Sequence, residues 1–366
     1  MAYALGIIGV IAILYGGGQI PTGNYIIAEI AKQLLKLECE LYGVHKSFLG
    51  LGDENCYERF TIQRAREIQF QTGTYLSMCR KVDPTSKEWV DKIFETLEKF
   101  DIHKLIIPGG DGSSRAAAGL IRVARRFKYP LQIVFLPCTI DGITNSETIG
   151  YYSAVAESLR HTICMIANSF ATWHPDYVTP RIPIIEIQGR NRNDISVGVM
   201  REIYKLGKIG KYSLNDFNLI FIPAAYEWSF NDLLRKIYSN NKETAIIIAE
   251  GAKPIENYWD AISGNSVGER LKNIISAGGI RECNLDIIGY LSQTNDSIPN
   301  AELNLINDWV AFAINAMAKT ERSIAVIKDG DKFKTMSLTK FAKATNSQDA
   351  ISLSEDELKE FENNLP

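Results

Sequence analysis

The chain has 366 residues, 46% of them hydrophobic and 23% charged, with a formal net charge of −3. That length exceeds a single core and suits two lobes of a soluble globular protein. The balanced charge, with no basic cluster, argues against a nucleic-acid partner, and six cysteines without a C-x-x-C pair argue for reduced thiols in a cytoplasmic protein and against structural zinc. Residues 2–15 are apolar enough to suggest a signal peptide but have no basic leader and are too short to span a membrane. A buried parallel strand over 5–14, running into Gly16-Gly17-Gly18, is the better reading. No other run could span a membrane. Asn24 can cap a helix to about residue 37, whose Ile26, Ile27, Ile30, Leu34 and Leu35 form an apolar stripe. Residues 40–44 read as a strand, 52–70 as polar and irregular, and 87–99 as a helix with Trp89, Ile93 and Leu97 on one face.

The next stretch holds the most informative residues. An apolar strand at 104–108 leads into Gly109-Gly110-Asp111-Gly112-Ser113, and a helix follows over 114–127. A glycine turn between a strand and a helix N-terminus gathers backbone N–H donors and the positive end of the helix dipole, which makes a phosphate cradle. A carboxylate inside such a cradle would repel phosphate alone, so Asp111 suggests a divalent cation between them. A second apolar strand, 131–136, ends in Pro137-Cys138-Thr139-Ile140-Asp141. Strand–helix–strand units cross over right-handed with parallel strands, so Asp111 and Asp141 are expected in one crevice. One carboxylate would hold the metal and the other take a proton from an attacking hydroxyl, as phosphoryl transfer to an alcohol requires.

A long helix at 151–170 is expected to pass to a second lobe. Strands follow at 183–187, 219–222, 244–249 and 285–290, with helices at 229–238 and around 272–276. A helix at 303–318 and a strand at 323–328 complete the alternating α/β pattern. Ser354 and Glu357 form a capping box that opens a short acidic helix, expected as a solvated surface helix.

The set GGDGS, then PCTID, then Glu186-Ile187-Gln188-Gly189-Arg190, resembles the phosphofructokinase family of bacterial size, which carries GGDGS, PGTIDND and EVMGR in that order. Residues 16–24 look like that family's first glycine loop, and the resemblance covers roughly residues 5–315. It implies two Rossmann-like α/β/α lobes with mostly parallel sheets. The nucleotide lobe would be 1–152 with 294–345, the acceptor lobe 153–293, and 346–366 a helical tail. It implies ATP as donor, Mg2+ on Asp111, and phosphate contacts from Gly18, Gly110, Gly112 and Ser113, with Phe48 near the nucleotide. Asp141 falls on the general base, Thr139 on the hydroxyl that contacts the transferring group, and Arg80 and Arg190 on arginines that steady phosphate charge. Gln188, Gly189, Arg190 and Glu250 fall on the sugar side, and Arg181 on an arginine that reaches a neighbouring subunit, which implies a homo-oligomer, dimer or tetramer.

The pattern breaks in places. Gly142 and Ile143 stand where the family has Asn-Asp, and Gln19 replaces the aspartate of the first loop. Tyr290, Gln293 and Asn284 replace the histidine and arginines that clamp a sugar 6-phosphate. Two lost charge-assisted hydrogen bonds at about 1.5–3 kcal/mol each weaken such a substrate by roughly 100- to 10,000-fold. Gly112 favours ATP over pyrophosphate, whose users carry aspartate there, whereas Cys138 matches neither donor type. The expected activity is ATP-dependent phosphorylation of fructose 6-phosphate in glycolysis. A related kinase for a non-phosphorylated sugar or polyol, pyrophosphate as donor, and a catalytically weak regulatory subunit are the alternatives.

Overall fold

The computed structural model describes residues 9–18, 20–71, 73–79, 82–143, 146–172, 181–190, 192–239, 242–279, 281–289, 298–345 and 353–366. The chain divides into two compact units, Met1–Ser153 with Thr294–Ser347, and Ala154–Gln293 with Gln348–Pro366. The first begins with β1 (Val10–Leu14), α1 (Gly23–Lys36), β2 (Leu41–Val44), β3 (Tyr57–Arg59), α2 (Ile62–Ile68) and α3 (Lys87–Lys99). Then come β4 (Ile102–Gly109), α4 (Asp111–Arg126) and β5 (Gln132–Pro137). The strand expected at 5–14 is seen from Val10 onward, its first residues lying outside the described ones. Thr22, not Asn24, occupies the N-cap of α1. The Asn24 side chain instead ties α1 to the next segment, accepting from Tyr75 N–H at 2.5 Å and donating to the Gln71 carbonyl at 2.9 Å. The stretch expected to be irregular at 52–70 contains β3 and α2. Thr61 caps α2 by accepting the Arg64 N–H, a local signal that outweighed the polar composition.

The second unit takes in most of α5 (Tyr151–Thr172), then β6 (Ile182–Ile187), α6 (Asp194–Leu206), the short hairpin β7 (Lys208–Ile209) and β8 (Tyr212–Ser213), and β9 (Phe217–Ile222). It continues through α7 (Phe230–Tyr238), β10 (Glu243–Ala249), α8 (Val267–Ala277) and β11 (Cys283–Ile287). Among the described residues its main sheet has the order β11-β6-β10-β9, all parallel. β6, β9 and β10 are almost wholly buried because helices cover a parallel sheet on both faces, whereas β11 at the edge is mostly half-buried.

The chain then rejoins the first unit through α9 (Asn300–Ala318), β12 (Ile324–Asp329), β13 (Lys332–Ser337) and α10 (Leu338–Ala344). β12 adds in parallel to β5, and β13 folds back antiparallel through Gly330-Asp331, where Gly330 has φ 57°. The first unit's sheet has the order β13-β12-β5-β4-β1-β2-β3 among the described residues. Its core joins Leu105, Ile107, Ile133 and Phe135 of the strands to Ile93 and Leu97 of α3 and Leu120 of α4. The chain moves one way from β1 to β2 and the other way from β4 to β5, so the order reverses between β1 and β4. In open α/β sheets ligands bind at that switch point, beyond the carboxyl ends of the strands.

The tail corrects an expectation. α11 (Glu355–Phe361) forms behind the Ser354–Glu357 capping box, but it is docked rather than solvated. Phe361 is fully buried against Phe221, ring centroids 5.3 Å apart. Beyond the helix, the Asn364 carbonyl accepts the Phe221 N–H at 2.8 Å, and its amide donates to the Leu219 carbonyl at 2.7 Å. β9 is an edge strand with backbone groups to satisfy, and the buried aromatic ring and ion pairs from Arg201 to Glu357 and Glu360, at 3.3 and 2.9 Å, hold the segment there.

Candidate active site

Three loops converge at the carboxyl ends of β1, β4 and β5. Gly16 donates its N–H to the Pro108 carbonyl at 2.9 Å, and Cys138 donates to the Gly109 carbonyl at 2.8 Å. The hydroxyl of Ser113 bonds to the Gly16 carbonyl, so this expected phosphate contact also staples two glycine loops together. A Cβ on Gly16 would stand 2.7 Å from Ser113 Oγ, which excludes any side chain there. A Cβ on Gly110 would lie 3.5 Å from Thr139 Cβ, which shows how closely the second and third loops approach. At Gly112 a Cβ would meet nothing within 4 Å, so the first turn of α4 is open on that face. The first N–H groups of a helix lack intrahelical acceptors, which leaves an anion cradle on the open side.

Asp111 opens α4 but does not stand free in the crevice. It is 5% exposed, its Oδ2 is 2.6 Å from Arg115 Nη1, and its Oδ1 accepts from Thr345 Oγ1 at 3.2 Å. Among the described residues no group of three acidic, histidine or cysteine side chains could hold a metal by itself. The site therefore fits a magnesium ion only in the manner of a single carboxylate plus nucleotide phosphates.

In the third loop, Thr139 Oγ1 accepts the Asp141 N–H at 3.2 Å, and Asp141 is partly exposed. Gly142 has φ 70°, a left-handed conformation that glycine takes without strain. Ile143 is buried in the core of the first unit. The two residues that replace the family's Asn-Asp thus turn the chain and anchor the loop, in place of a second carboxylate. Cys138 is fully buried, and burial pushes its thiol far up, so it is neutral. Tyr15, fully buried beside it, donates its hydroxyl to the Gly18 carbonyl at 2.8 Å and braces the first glycine loop from behind. Sequence reasoning passed over Tyr15. Its only signal is an aromatic residue directly before three glycines.

Phe48, expected near the nucleotide, is 5% exposed and packs with Leu51 and Ile93 in the first unit's core. Gln19 and Arg80 lie outside the described residues.

The second unit carries the other expected residues. After β6, Gly189 (φ 144°) and Arg190 (φ 53°) form a tight turn whose N–H groups both donate to Glu250 Oε2, at 3.1 and 2.8 Å. Glu250 follows β10, the neighbour of β6, and donates its own N–H to the Ile187 carbonyl at 2.9 Å. A left-handed non-glycine residue is uncommon, and such strain concentrates at functional sites. The carboxylate expected on sugar hydroxyls therefore also shapes the loop that carries Gln188, Gly189 and Arg190. Glu186 is buried, burial pushes its carboxyl up, and it accepts the Gly268 N–H at 2.7 Å at the start of α8, so it orients its neighbours. Sequence reasoning also missed Arg192, which is buried with Nε 2.9 Å from Asp194 Oδ2. Arg181 forms an ion pair with Glu282 at 2.7 Å, and its Nη1 donates to Asn284 Oδ1 at 3.4 Å. Tyr290 and Gln293 lie outside the described residues.

A doubly wound α/β protein with glycine loops gathered at its switch point is the class that fold and site define. The family model for Phosphofructokinase matches residues 10–305. Among curated proteins, the ATP-dependent 6-phosphofructokinase of Streptococcus thermophilus is 25% identical over 324 residues, 86% of this chain and 84% of that one. That of Finegoldia magna is 30% identical over 190 residues, 51% of this chain and 55% of that one, so this match spans about half the relative's length. A pyrophosphate–fructose 6-phosphate 1-phosphotransferase of Thermotoga maritima is 26% identical over 52% of this chain and 44% of its own. Among solved structures, a pyrophosphate-dependent phosphofructokinase from Nitrosospira multiformis has a TM-score of 0.74 at 14% identity, covering 95% of this chain and 88% of that one. Phosphofructokinase from Saccharomyces cerevisiae has a TM-score of 0.72 at 19% identity, covering 92% of this chain and 45% of that one. At these identities the two structures show the fold. The chain belongs to the phosphofructokinase family.

Proposed function

We propose that the protein moves the γ-phosphate of ATP to a hydroxyl of fructose 6-phosphate, as the relatives named ATP-dependent 6-phosphofructokinase do. The observation that carries this reading is the convergence of the Gly16, Gly110–Ser113 and Thr139–Asp141 loops at the switch point of one sheet. Asp141 accepts the proton of the attacking hydroxyl as its oxygen bonds to the γ-phosphorus. The bond from that phosphorus to the bridging oxygen breaks, and ADP leaves. Thr139 Oγ1 already accepts a backbone N–H, so its own proton is oriented to be donated to a phosphoryl oxygen. Gly110 and Gly112 let the phosphates approach the start of α4. Magnesium bound with the nucleotide would supply charge neutralisation, and Asp111 would hold it through the oxygen that Arg115 now pairs.

Arg80 and Arg190 steady the phosphoryl charge in this reading, and Glu250 with the 188–190 loop receives the sugar. Open space at Gly112 favours ATP, because an aspartate there would occupy the phosphate approach. A cytoplasmic location and a homo-oligomer belong to the same proposal, and light scattering on the purified protein checks the oligomer. No helix among the described residues is long and apolar enough to cross a membrane.

The test is turnover by the purified protein with magnesium, offering ATP or pyrophosphate against fructose 6-phosphate and a panel of neutral sugars and polyols. Fastest turnover with ATP and fructose 6-phosphate is the expected result. Turnover only with pyrophosphate, only on neutral acceptors, or on nothing, would overturn it.

A further inference from the structure

Glu302 is a fully buried carboxylate to which the chemistry above gives no role. It sits in the first turn of α9, about 150 residues along the chain from its partners. Its Oε1 accepts the N–H of Gly150, and its Oε2 accepts both the N–H and the hydroxyl of Ser153, at 2.6 and 2.9 Å. These donors belong to the start of α5, so the carboxylate caps that helix from outside its own sequence. Burial pushes its carboxyl up, while the three bonds from Gly150 and Ser153 pull it down. An isolated buried carboxylate is costly, and only a full set of donors makes it tolerable.

The bonds do not stop at the helix. Gly150 follows Ile149, which donates to the Pro137 carbonyl at 3.0 Å and accepts the Thr139 N–H at 3.1 Å. Thr139 Oγ1 in turn accepts the Asp141 N–H. Gly150 has φ 102°, and a Cβ there would lie 3.1 Å from Ile20 Cδ1, so the trailing limb of the loop is held close against the first glycine loop. An unbroken series of contacts thus runs from Glu302 through Gly150, Ile149 and Thr139 to Asp141.

We propose that Glu302 is a positioning residue for phosphoryl transfer, clamping the trailing limb of the 138–150 loop so that Thr139 and Asp141 are held ready to act. The inference rests on the reading of Asp141 as general base. Glu302 acts through the loop and touches neither substrate. Glutamine at this position is nearly the same size but turns an amide N–H2 toward donors, so the clamp opens while the packing volume stays.

The experiment is a double-mutant cycle on the full chain with Glu302→Gln and Asp141→Asn, reading kcat, KM for ATP and Tm. Glu302→Gln is expected to lower kcat about 10- to 100-fold, as a displacement of about 1 Å does in a preorganised site, with KM for ATP within about twofold. In the Asp141→Asn background the same change is expected to cost less than about twofold, because the group it positions is already gone. An equal loss in both backgrounds, or a fall in Tm with kcat intact, would overturn the proposal and leave Glu302 a structural cap. Should Glu302→Gln not fold, Glu302→Asp, which withdraws the carboxylate by one methylene, carries the same cycle with the same two readings. If Asp141→Asn alone leaves kcat intact, the reading of the base fails, and the inference falls with it. If Asp141→Asn abolishes turnover and Glu302→Gln does not lower it, only the inference fails.

Discussion

Gly112 is where a single side chain most directly probes the donor site. Its Cβ position faces open space, so the Cβ of Gly112→Asp meets no protein atom within 4 Å. The substitution adds negative charge where the phosphates of ATP would lie. KM for ATP is expected to rise at least about tenfold while Tm stays within about 2 °C, since exposed substitutions away from packed features cost about 0.5 kcal/mol or less. An unchanged KM would place the nucleotide elsewhere. Glu58 gives a residue-scale test of pH dependence. Burial pushes its carboxyl up, but hydrogen bonds from His45, Tyr75 and Arg64 outweigh that and hold it below the ordinary value. Its stabilisation is complete above the unfolded pKa of about 4.3 and is lost as pH falls through the lower folded value. Glu58→Gln should therefore lower Tm at pH 7 and have little effect near pH 3. An equal fall at both would show that the partners, not the charge, carry the effect.

At the scale of elements, the tail is anchored by the buried Phe361 together with the Asn364 hydrogen bonds and ion pairs from Arg201 to Glu357 and Glu360. Phe361→Ala empties a fully buried site against Phe221 and is expected to cost about 3–5 kcal/mol, read by urea unfolding. A cost below about 1 kcal/mol would mean that the tail is not docked in solution. The burial of Phe361 was not legible in the sequence, because a lone phenylalanine in an acidic helix carries no periodicity. The parallel strands were legible because burial on both faces writes continuous apolar runs such as residues 104–108 and 131–136. β3, α2, α6, β13 and α10 were not. All but the 13-residue α6 are three to seven residues long, too short for a helical or strand period to stand out, and α6 was passed over although its buried Ile195, Val199 and Ile203 lie at helical spacing. The three glycine and aspartate loops could be read because phosphate chemistry restricts them to few residue types. The hidden parts are long-range: Arg115 and Thr345 on Asp111, Glu250 on the turn at 189–190, and Glu302 on the loop at 150. No local pattern announces a partner that far away in sequence.

For the whole molecule, the account assigns the donor phosphates to the switch point of the first unit's sheet. Its central claim is that Asp141 is the base of a phosphoryl transfer and not merely a loop residue. Asp141→Asn keeps the shape of the side chain and, through the backbone, the bond to Thr139 Oγ1, but removes the proton acceptor. The one measurement that tests this most directly is the single-turnover rate of that variant with ATP and fructose 6-phosphate, beside its equilibrium affinity for ATP. The account predicts a rate lower by roughly 100- to 10,000-fold with the ATP affinity changed less than about twofold. A rate within about threefold of the unaltered protein, or a loss explained wholly by weaker ATP binding, would contradict it.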